Sequence, residues 1–399
     1  DEESLLAFAA CGITGPVTAD MCYTPEGGGG ILAGFAGRTV ASGDALQTVS
    51  LIYTNDEGAW LMRRPADFAA KDLSELIGLS QGGQIQELHR RSAVRISDRR
   101  VSPPKEPLFN INANRWSAYA PGTTWFLPVN DLTSMYINGL LEIFNEHTGA
   151  FALDERAAFQ PAGLRKFARS RGGHLEDDPA RGRVVTVKHI ETLVTEFVTI
   201  EQGMMLQNLG LMAQALGLGG FPSFANHEFA WFEALGFRMG RMPASRYLGC
   251  SALVKLGLKL LGKDVDVPYP LGLEVNGQAI LKPYCPPYYS SMRHAVEAFV
   301  AFKFGQSGIY RSNETATAWL ESQAVKNAAP RPSEPAIEAI IAYCEYLWNR
   351  YGRFPVHLAP FRTVLGFQAC HLDPDFYAKF YRPEAISATQ REDFGRGGS

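Results

Sequence analysis

The feature that most constrains the fold of this 399-residue chain is a long stretch without charge. No Asp, Glu, Lys or Arg occurs between Gln202 and Asn226, and the stretch contains the turn Gly217-Leu218-Gly219-Gly220. A run of this length matches the ~20 residues that cross a bilayer. However, it contains Gln207, Asn208 and Gln214, and hydrocarbon solvates such polar groups poorly. We therefore predict a helix buried in protein and ended by glycine, a pattern that an ordinary core helix without a ligand also has.

The composition describes a globular protein and excludes several classes of function. Hydrophobic residues make up 46% of the chain and charged residues 20%, which is typical of folded proteins. The net charge is -3, so the chain as a whole has no electrostatic footprint for nucleic acid or for an anionic membrane surface. Its six cysteines are widely spaced, which favours reduced thiols over a disulfide framework and predicts no metal site. A cytoplasmic location is the resulting expectation.

Hydrophobic periodicity and turn signals predict a mixed α+β protein. The segments Gln47 to Tyr53 and Gly58 to Met62 are predicted to form a hairpin around Asn55-Asp56, and a second hairpin is predicted at Asn276-Gly277. Trp125 to Val129 has the composition of a further strand. Helices are predicted over residues 72–92, Leu132 to Asn145 with Asp131 as its cap, 188–216 with a break at Gly203, Leu253 to Leu261, Ser291 to Phe304 and Ile337 to Arg350.

A basic cluster lies at the predicted end of the helix over residues 72–92. It contains Arg90, Arg91, Ser92 and Arg95. Arginine side chains hold a phosphate dianion with planar, permanently charged forks, and a serine hydroxyl adds a further donor. The cluster is therefore a candidate phosphate site, although a solvated basic turn has the same composition.

Three segments, taken in chain order, resemble the nitroreductase family of FMN enzymes. The first is the Arg-Arg-Ser cluster, which has one more residue between Ser92 and Arg95 than is usual in the family. The second is the turn Pro121-Gly122-Thr123 before a strand, with Gly122 where serine is common. The third is the Gln-Asn-containing helix that ends in Gly-Leu-Gly. The resemblance implies phosphate and ribityl contacts from Arg90, Arg91, Ser92 and Arg95, a ring contact from Pro121, Gly122 and Thr123, hydrogen bonds from Gln207 and Asn208, and main-chain contacts from Gly217, Leu218, Gly219 and Gly220.

A second turn is an alternative candidate for the contact with the flavin ring. The segment Gly37 to Asp44 also precedes a strand, and it resembles the corresponding turn in the SagB-type dehydrogenase branch, which is associated with azoline-containing peptides. Either turn can face the flavin, and tandem, degenerate copies of the fold are a further possibility.

The resemblance covers residues 88–282 and implies an α+β fold in which an antiparallel sheet is flanked by helices, with N- and C-terminal extensions. Residues 1–87 are then an N-terminal extension or a degenerate half of the fold, residues 88–322 the FMN-binding domain, and residues 323–399 a helical C-terminal extension.

The activity that the resemblance implies is an FMN-dependent oxidoreductase. It would transfer hydride from NAD(P)H through the flavin to a small organic acceptor, and it would work as a homodimer without nucleic acid or membrane. The alternatives are a divergent, non-catalytic relative that binds flavin or a peptide, and an azoline-oxidising dehydrogenase in peptide modification.

Other motifs point to no further chemistry. Gly27 to Gly30 with Ala33 match a dinucleotide fingerprint, but no hydrophobic strand precedes them. The segment 351–377 contains His371 and Asp373, which suit either one wall of a pocket or an aromatic tail packed on the core. Gly78-Leu79-Ser80-Gln81-Gly82 matches Gly-x-Ser-x-Gly, but it lies inside the helix predicted over residues 72–92 and not at a strand-to-helix turn. The phosphate-binding P-loop and His-Glu-x-x-His do not occur in the sequence.

Overall fold

The structure, a computed structural model, describes residues 2–18, 34–103, 120–224, 228–312 and 317–396. The helices are α1 (Glu2–Cys11), α2 (Ala70–Gln81), α3 (Ile85–Ser92), α4 (Leu132–Ile143), α5 (Val187–Leu216), α6 (Glu228–Ala234), α7 (Ala244–Tyr247), α8 (Ala252–Leu260), α9 (Met292–Phe304), α10 (Ser322–Asn327), α11 (Glu334–Tyr351), α12 (Pro374–Phe380) and α13 (Ala388–Arg396). The strands are β1 (Ile13–Pro16), β2 (Ala36–Arg38), β3 (Val49–Asn55), β4 (Gly58–Met62), β5 (Ala93–Ser97), β6 (Thr124–Asp131), β7 (Phe151–Asp154), β8 (Gln160–Pro161), β9 (Val184–Thr186), β10 (Gly219–Phe224), β11 (Phe237–Pro243), β12 (Asp266–Val275), β13 (Gln278–Leu281), β14 (Phe361–Arg362) and β15 (Leu365–Cys370).

A central antiparallel sheet organises the chain. Its strand order is β10-β15-β6-β3-β4-β5, and β14 also pairs with β6. Successive side chains of a strand point to opposite faces, and the apolar residues of the sheet divide accordingly. Tyr53, Phe126 and Phe367 belong to one core cluster, whereas Ile52 and Trp125 belong to another on the opposite face.

Helices α1 and α5 cover the first face. Met205, Leu206 and Leu209 of α5 pack against it together with Leu6 and Ala10 of α1. Helix α5 begins at its cap Thr186, whose side chain accepts a hydrogen bond from the His189 amide, and it ends where Gly217 adopts a left-handed conformation. It runs without a break through Gly203, so the predicted break is wrong.

A smaller antiparallel sheet, β11-β12-β13, covers the second face together with α6. The link between β12 and β13 is the predicted two-residue turn, since Asn276 and Gly277 have φ of 51° and 77°. Trp231 and Phe232 of α6 are buried beneath this sheet.

A helical region of α4, α9 and α11 packs against the N-terminal part of α5 and forms the third core. Asp131 caps α4 as predicted, because its carboxylate accepts the Thr133 amide hydrogen bond. The predicted helix over residues 72–92 is wrong as a single element, since Gly82 and Gly83 separate α2 from α3.

The mixed helix and sheet composition and the antiparallel central sheet confirm the predicted α+β class. Residues 1–87 contribute β3 and β4 to this sheet, residues 88–322 contribute β5, β6 and β10, and residues 323–399 contribute β14 and β15. Gly27 to Gly30, Ala33 and the Pro- and Asn-rich stretch at 104–119 lie outside the described residues. Within the described ranges, none of the helices combines the length and the hydropathy that crossing a bilayer requires.

Candidate functional site

The three arginines of the predicted phosphate cluster each pair with a carboxylate. In α3, Arg90 pairs with Glu87 at 2.6 Å, and Arg91 pairs with Glu75 at 2.8 Å. In β5, Arg95 pairs with Asp98 at 3.0 Å and lies over the Trp60 ring. These contacts are those of a solvated basic surface, and an incoming phosphate would have to compete with them.

Ser92 is buried and points away from this surface. It lines a cavity of about 10 Å³ together with Arg63 and His89. Three buried polar atoms of the lining have no protein partner, namely Ser92 Oγ, Arg63 Nε and His89 Nε2. A cavity of this size and polarity fits one water molecule rather than a phosphate.

The arginines and the glycine turn lie at opposite edges of the central sheet. Their strands belong to one row of paired residues that runs Arg95, Trp60, Tyr53, Phe126, Phe367, Pro222. Five steps between neighbouring strands amount to roughly 24 Å at ~4.8 Å per step. Within one protomer these two groups therefore do not meet at one ligand.

The turn at Pro121-Gly122-Thr123 lies at the hairpin end of the sheet. The Gly122 amide donates a 2.6 Å hydrogen bond to Asp56, and Arg100 donates to the Thr123 hydroxyl and carbonyl. The Gly122 bond, aided by Arg100, lowers the pKa of the Asp56 carboxyl. This turn therefore fastens the β3–β4 hairpin.

The glycine turn after α5 packs against the C-terminal segment of the chain. A Cβ atom at Gly217 would lie 2.3 Å from the Thr389 carbonyl oxygen, and one at Gly219 would lie 2.5 Å from a Leu372 methyl. Gly220 is similarly close to the Phe367 ring, while Leu218 is buried. The glycines thus permit close packing of the chain on itself.

The competing turn, Gly37 to Asp44, contacts α5 directly. Asn208 donates a 3.2 Å hydrogen bond to the Thr39 carbonyl, whereas the neighbouring Gln207 is exposed. The structure therefore brings together two segments that the resemblance singled out, the Gln-Asn helix and this turn.

A buried ion pair fixes the same turn on α5. Arg38 and Glu201 are 2.7 Å apart, and their side chains are 2% and 1% exposed. The other Glu201 oxygen accepts a 2.8 Å hydrogen bond from Ser42, and the Val49 amide also donates to this carboxylate. The carboxylate is therefore fully engaged, whereas Nε of Arg38 is buried without a hydrogen-bond partner, so removal of either charge would leave the other uncompensated.

The chain beyond the ion pair has an unusual backbone. Asp44, Ala45 and Gln47 have φ of 54°, 54° and 55°, a left-handed region that costs energy for residues other than glycine. Side-chain contacts hold this conformation. Asn138 donates a 2.7 Å hydrogen bond to Asp44, and Gln47 donates to the Ala36 carbonyl.

A cleft of about 640 Å³ borders this strained segment. Phe35, Phe68 and Phe302 contribute aromatic rings to its lining, and Arg311 is the cation among the lining residues. Arg311 donates through one nitrogen to two main-chain carbonyls, those of Tyr310 and Lys326. The cleft has the size of a small-molecule site, and its walls combine aromatic rings with polar groups such as Gln306 and Arg311.

A buried lysine stands behind the same segment. Lys303 is 7% exposed and donates a 2.7 Å hydrogen bond to the Asn138 oxygen, so Asn138 joins it to Asp44. Burial lowers the pKa of Lys303, with Glu142 and Asp44 acting in the opposite direction.

A second cluster lies beside the glycine turn. His371 follows Cys370, the strand partner of Gly219, and it contacts Glu2 at 3.0 Å through Nε2 and Asp393 at 3.2 Å through Nδ1. The three residues offer ligand atoms within 4.8 Å of one another. Both imidazole nitrogens already contact carboxylates, so a metal ion could bind the ring only by replacing one of these contacts.

A third network joins α5 to the loop after α11. The buried Glu191 accepts hydrogen bonds from the Val356 and His357 amides at 2.8 and 2.7 Å, yet burial dominates and raises the pKa of Glu191 to about 7. Arg156 donates to Nδ1 of His357, so His357 carries its hydrogen on Nε2, 2.7 Å from Glu155.

Glu191, Glu201 and Lys303 were not predicted from the sequence. A signal for the two glutamates was present, because Glu191, Val194, Val198, Glu201 and Met205 follow the helical spacing of one buried face of α5.

A scan against protein-family models finds no match for this chain, and a search of curated proteins finds no significant match either.

Proposed function

We propose that this protein is an FMN-dependent oxidoreductase of nitroreductase-like type, with its flavin beside the turn Gly37 to Asp44. The hydrogen bond from Asn208 to Thr39 carries the proposal, because it joins two of the segments on which the family resemblance rests. The strained backbone of Asp44, Ala45 and Gln47 adds support, since strain of this kind concentrates at ligand sites.

The cleft suits the ring of FMN better than it suits the phosphate. Its phenylalanines offer an apolar slot, whereas Arg311 is the lining cation available to a phosphate. Arg90, Arg91 and Arg95 are not among the residues that line the cleft, and each already pairs with a carboxylate.

When bound, FMN supplies the redox chemistry by accepting hydride from NADH or NADPH and passing electrons to a small organic acceptor. The chain supplies the environment. The Arg38–Glu201 pair and the Asp44–Asn138–Lys303 chain of contacts fix the turn, while Phe35, Phe68 and Phe302 offer apolar surface to the ring.

A homodimer is part of the proposal. Leu193, Phe197, Ile200, Met204 and Leu211 of α5 are between 40% and 57% exposed. Their spacing of three, four or seven places them on one face, along about 27 Å of helix. A two-fold axis through this stripe would cover the same residues on both copies.

The experiment is a test of colour and of bleaching. Protein purified with FMN is expected to keep a yellow chromophore through gel filtration and to lose the colour anaerobically when NADH or NADPH is added. Failure to retain FMN would overturn the proposal.

A second candidate is a relative that binds without turnover. The carboxylate pairs of Arg90, Arg91 and Arg95 favour it, as does the closure of the glycine turn by the chain itself. Retained colour that does not bleach with either nicotinamide would support this candidate.

An azoline-oxidising role is favoured by the contact between α5 and the turn Gly37 to Asp44, since this turn is the one that resembles the SagB-type branch. Oxidation of an azoline peptide by the FMN-bound protein tests it.

A further inference from the structure

Helix α8 presents apolar side chains to solvent along its length. None of its residues is buried. Leu253 is 80% exposed, Leu256 55% and Leu260 78%, and the residues that follow the helix continue the pattern with Leu261 at 69%. Contiguous apolar patches on protein surfaces often mark interaction sites, so we infer that this patch binds a partner.

Positive charge predominates around α8, and the nearest acidic residue in the sequence is Asp264, whose pKa is lowered by hydrogen bonds from Ser245 and by the charge of Lys255. Lys255, Lys259 and Lys263 recur every four residues beside the leucines, and no Asp or Glu occurs from Phe237 to Lys263. Among the described residues, no ion pair engages any of the three lysines. The next acidic residue, Asp264, accepts hydrogen bonds from Ser245 and is thereby held against α7. The whole-chain charge of -3 hides this local excess.

We propose that α8 docks on an anionic lipid surface. A helix with leucines on one side and lysines beside them lies in the interfacial plane of a membrane, with its apolar side chains among the acyl chains and its ammonium groups at the headgroups. Helix α8 packs chiefly against α7, and none of its residues is buried, so it is accessible from outside. The proposal does not depend on flavin binding.

A second copy of the chain fits this surface less well. Nine residues of helix are about 14 Å long. A helix face of that length and about 10 Å width covers on the order of 140 Å². This area is well below the roughly 800 Å² that each partner buries in a stable protein interface. A bilayer has no such requirement, because each exposed leucine that enters it contributes separately.

Flotation of the full chain with lipid vesicles tests the proposal. We expect binding to vesicles of phosphatidylcholine and phosphatidylserine, weaker binding to phosphatidylcholine alone, and release by added salt. The double variant Leu253→Gln with Leu260→Gln should lower the vesicle affinity about tenfold or more. Its matched control is Leu320→Gln, because Leu320 is a fully exposed leucine elsewhere.

The lysines are tested separately. Replacing Lys255, Lys259 and Lys263 by Gln should remove the preference for phosphatidylserine, whereas Lys71→Gln with Lys188→Gln should keep it. All these side chains are exposed, so circular dichroism and the unfolding midpoint should stay unchanged. Absence of wild-type binding, or unchanged binding of the leucine variant, would overturn the proposal. So would a leucine variant that only dissociates an oligomer, since α8 would then contact protein.

Discussion

At the residue scale, Glu201 is the side chain that joins the turn to the helix. Its carboxylate contacts Arg38, Ser42 and the Val49 amide in a site from which water is excluded. Removal of one partner from a buried ion pair leaves the other charge unpaired, which is the costly case. The integrity of the turn therefore depends on this residue.

Glu201→Ala is expected to lower the free energy of unfolding by about 3–5 kcal/mol. The control is Glu196→Ala, because Glu196 is exposed on the same helix and should change stability by no more than ~0.5 kcal/mol. Urea denaturation followed by circular dichroism measures both. Equal losses for the two variants would contradict the role assigned to the ion pair.

Glu191 predicts a pH dependence of stability. Its folded pKa is raised from the usual 4.5 to about 7, so between these values the folded protein holds a proton that the unfolded chain releases. The contribution is complete below pH 4.5 and is lost as the pH rises through 7. At ~1.4 kcal/mol per pKa unit, the loss is on the order of 3 kcal/mol.

The measurement compares wild type with Glu191→Gln across this range. His357, whose pKa burial lowers, contributes with the opposite sign in both proteins, so the difference between the two curves isolates Glu191. The wild-type free energy of unfolding should fall relative to the variant as the pH rises. Parallel curves would show that Glu191 titrates normally.

At the element scale, the glycine turn after α5 is explained by packing and backbone conformation. Gly217 has φ of 80°, and the Thr389 carbonyl occupies the space that a side chain would need. A cofactor is not required to account for it. The same turn therefore satisfies the sequence pattern of a flavin-binding family and the needs of a helix end.

Gly217→Ala is expected to destabilise the protein by about 1–3 kcal/mol, through strain at positive φ and the clash with Thr389. Gly78→Ala provides the control, since Gly78 lies within α2 with open space at its Cβ position. That change should stabilise by roughly 0.5–1 kcal/mol. Thermal unfolding of both variants distinguishes them, and a stable Gly217→Ala protein would remove the packing explanation.

Local signals predicted those elements whose determinants are adjacent in sequence. The Asn276-Gly277 hairpin and the Asp131 cap follow from residues that are adjacent in sequence, so the pattern contains the whole cause. The contacts of the candidate site cannot be predicted from adjacent residues in this way. Which turn meets α5 depends on the pairing of strands far apart in the chain, and residues such as Glu201 and Lys303 acquire partners 163 and 165 positions away.

At the scale of the whole molecule, the exposed stripe on α5 predicts the oligomeric state. Ile200→Lys with Met204→Lys should convert a homodimer into a monomer, because the lysines would be buried against each other across the two-fold axis. Light scattering coupled to gel filtration measures the mass, with Leu320→Lys as the control. A wild-type monomer would contradict the proposed dimer.

In the proposed complex, FMN occupies the cleft lined by residues on either side of the turn Gly37 to Asp44. Ala66 lines this cleft and is exposed, so Ala66→Trp fills the slot without disturbing the core, whereas Ala180→Trp adds the same ring at an exposed site elsewhere. The most direct test is the FMN affinity of both variants, measured by quenching of flavin fluorescence. We predict that Ala66→Trp weakens binding by about tenfold or more and that Ala180→Trp binds as wild type does. Unchanged affinity of Ala66→Trp would contradict the claim.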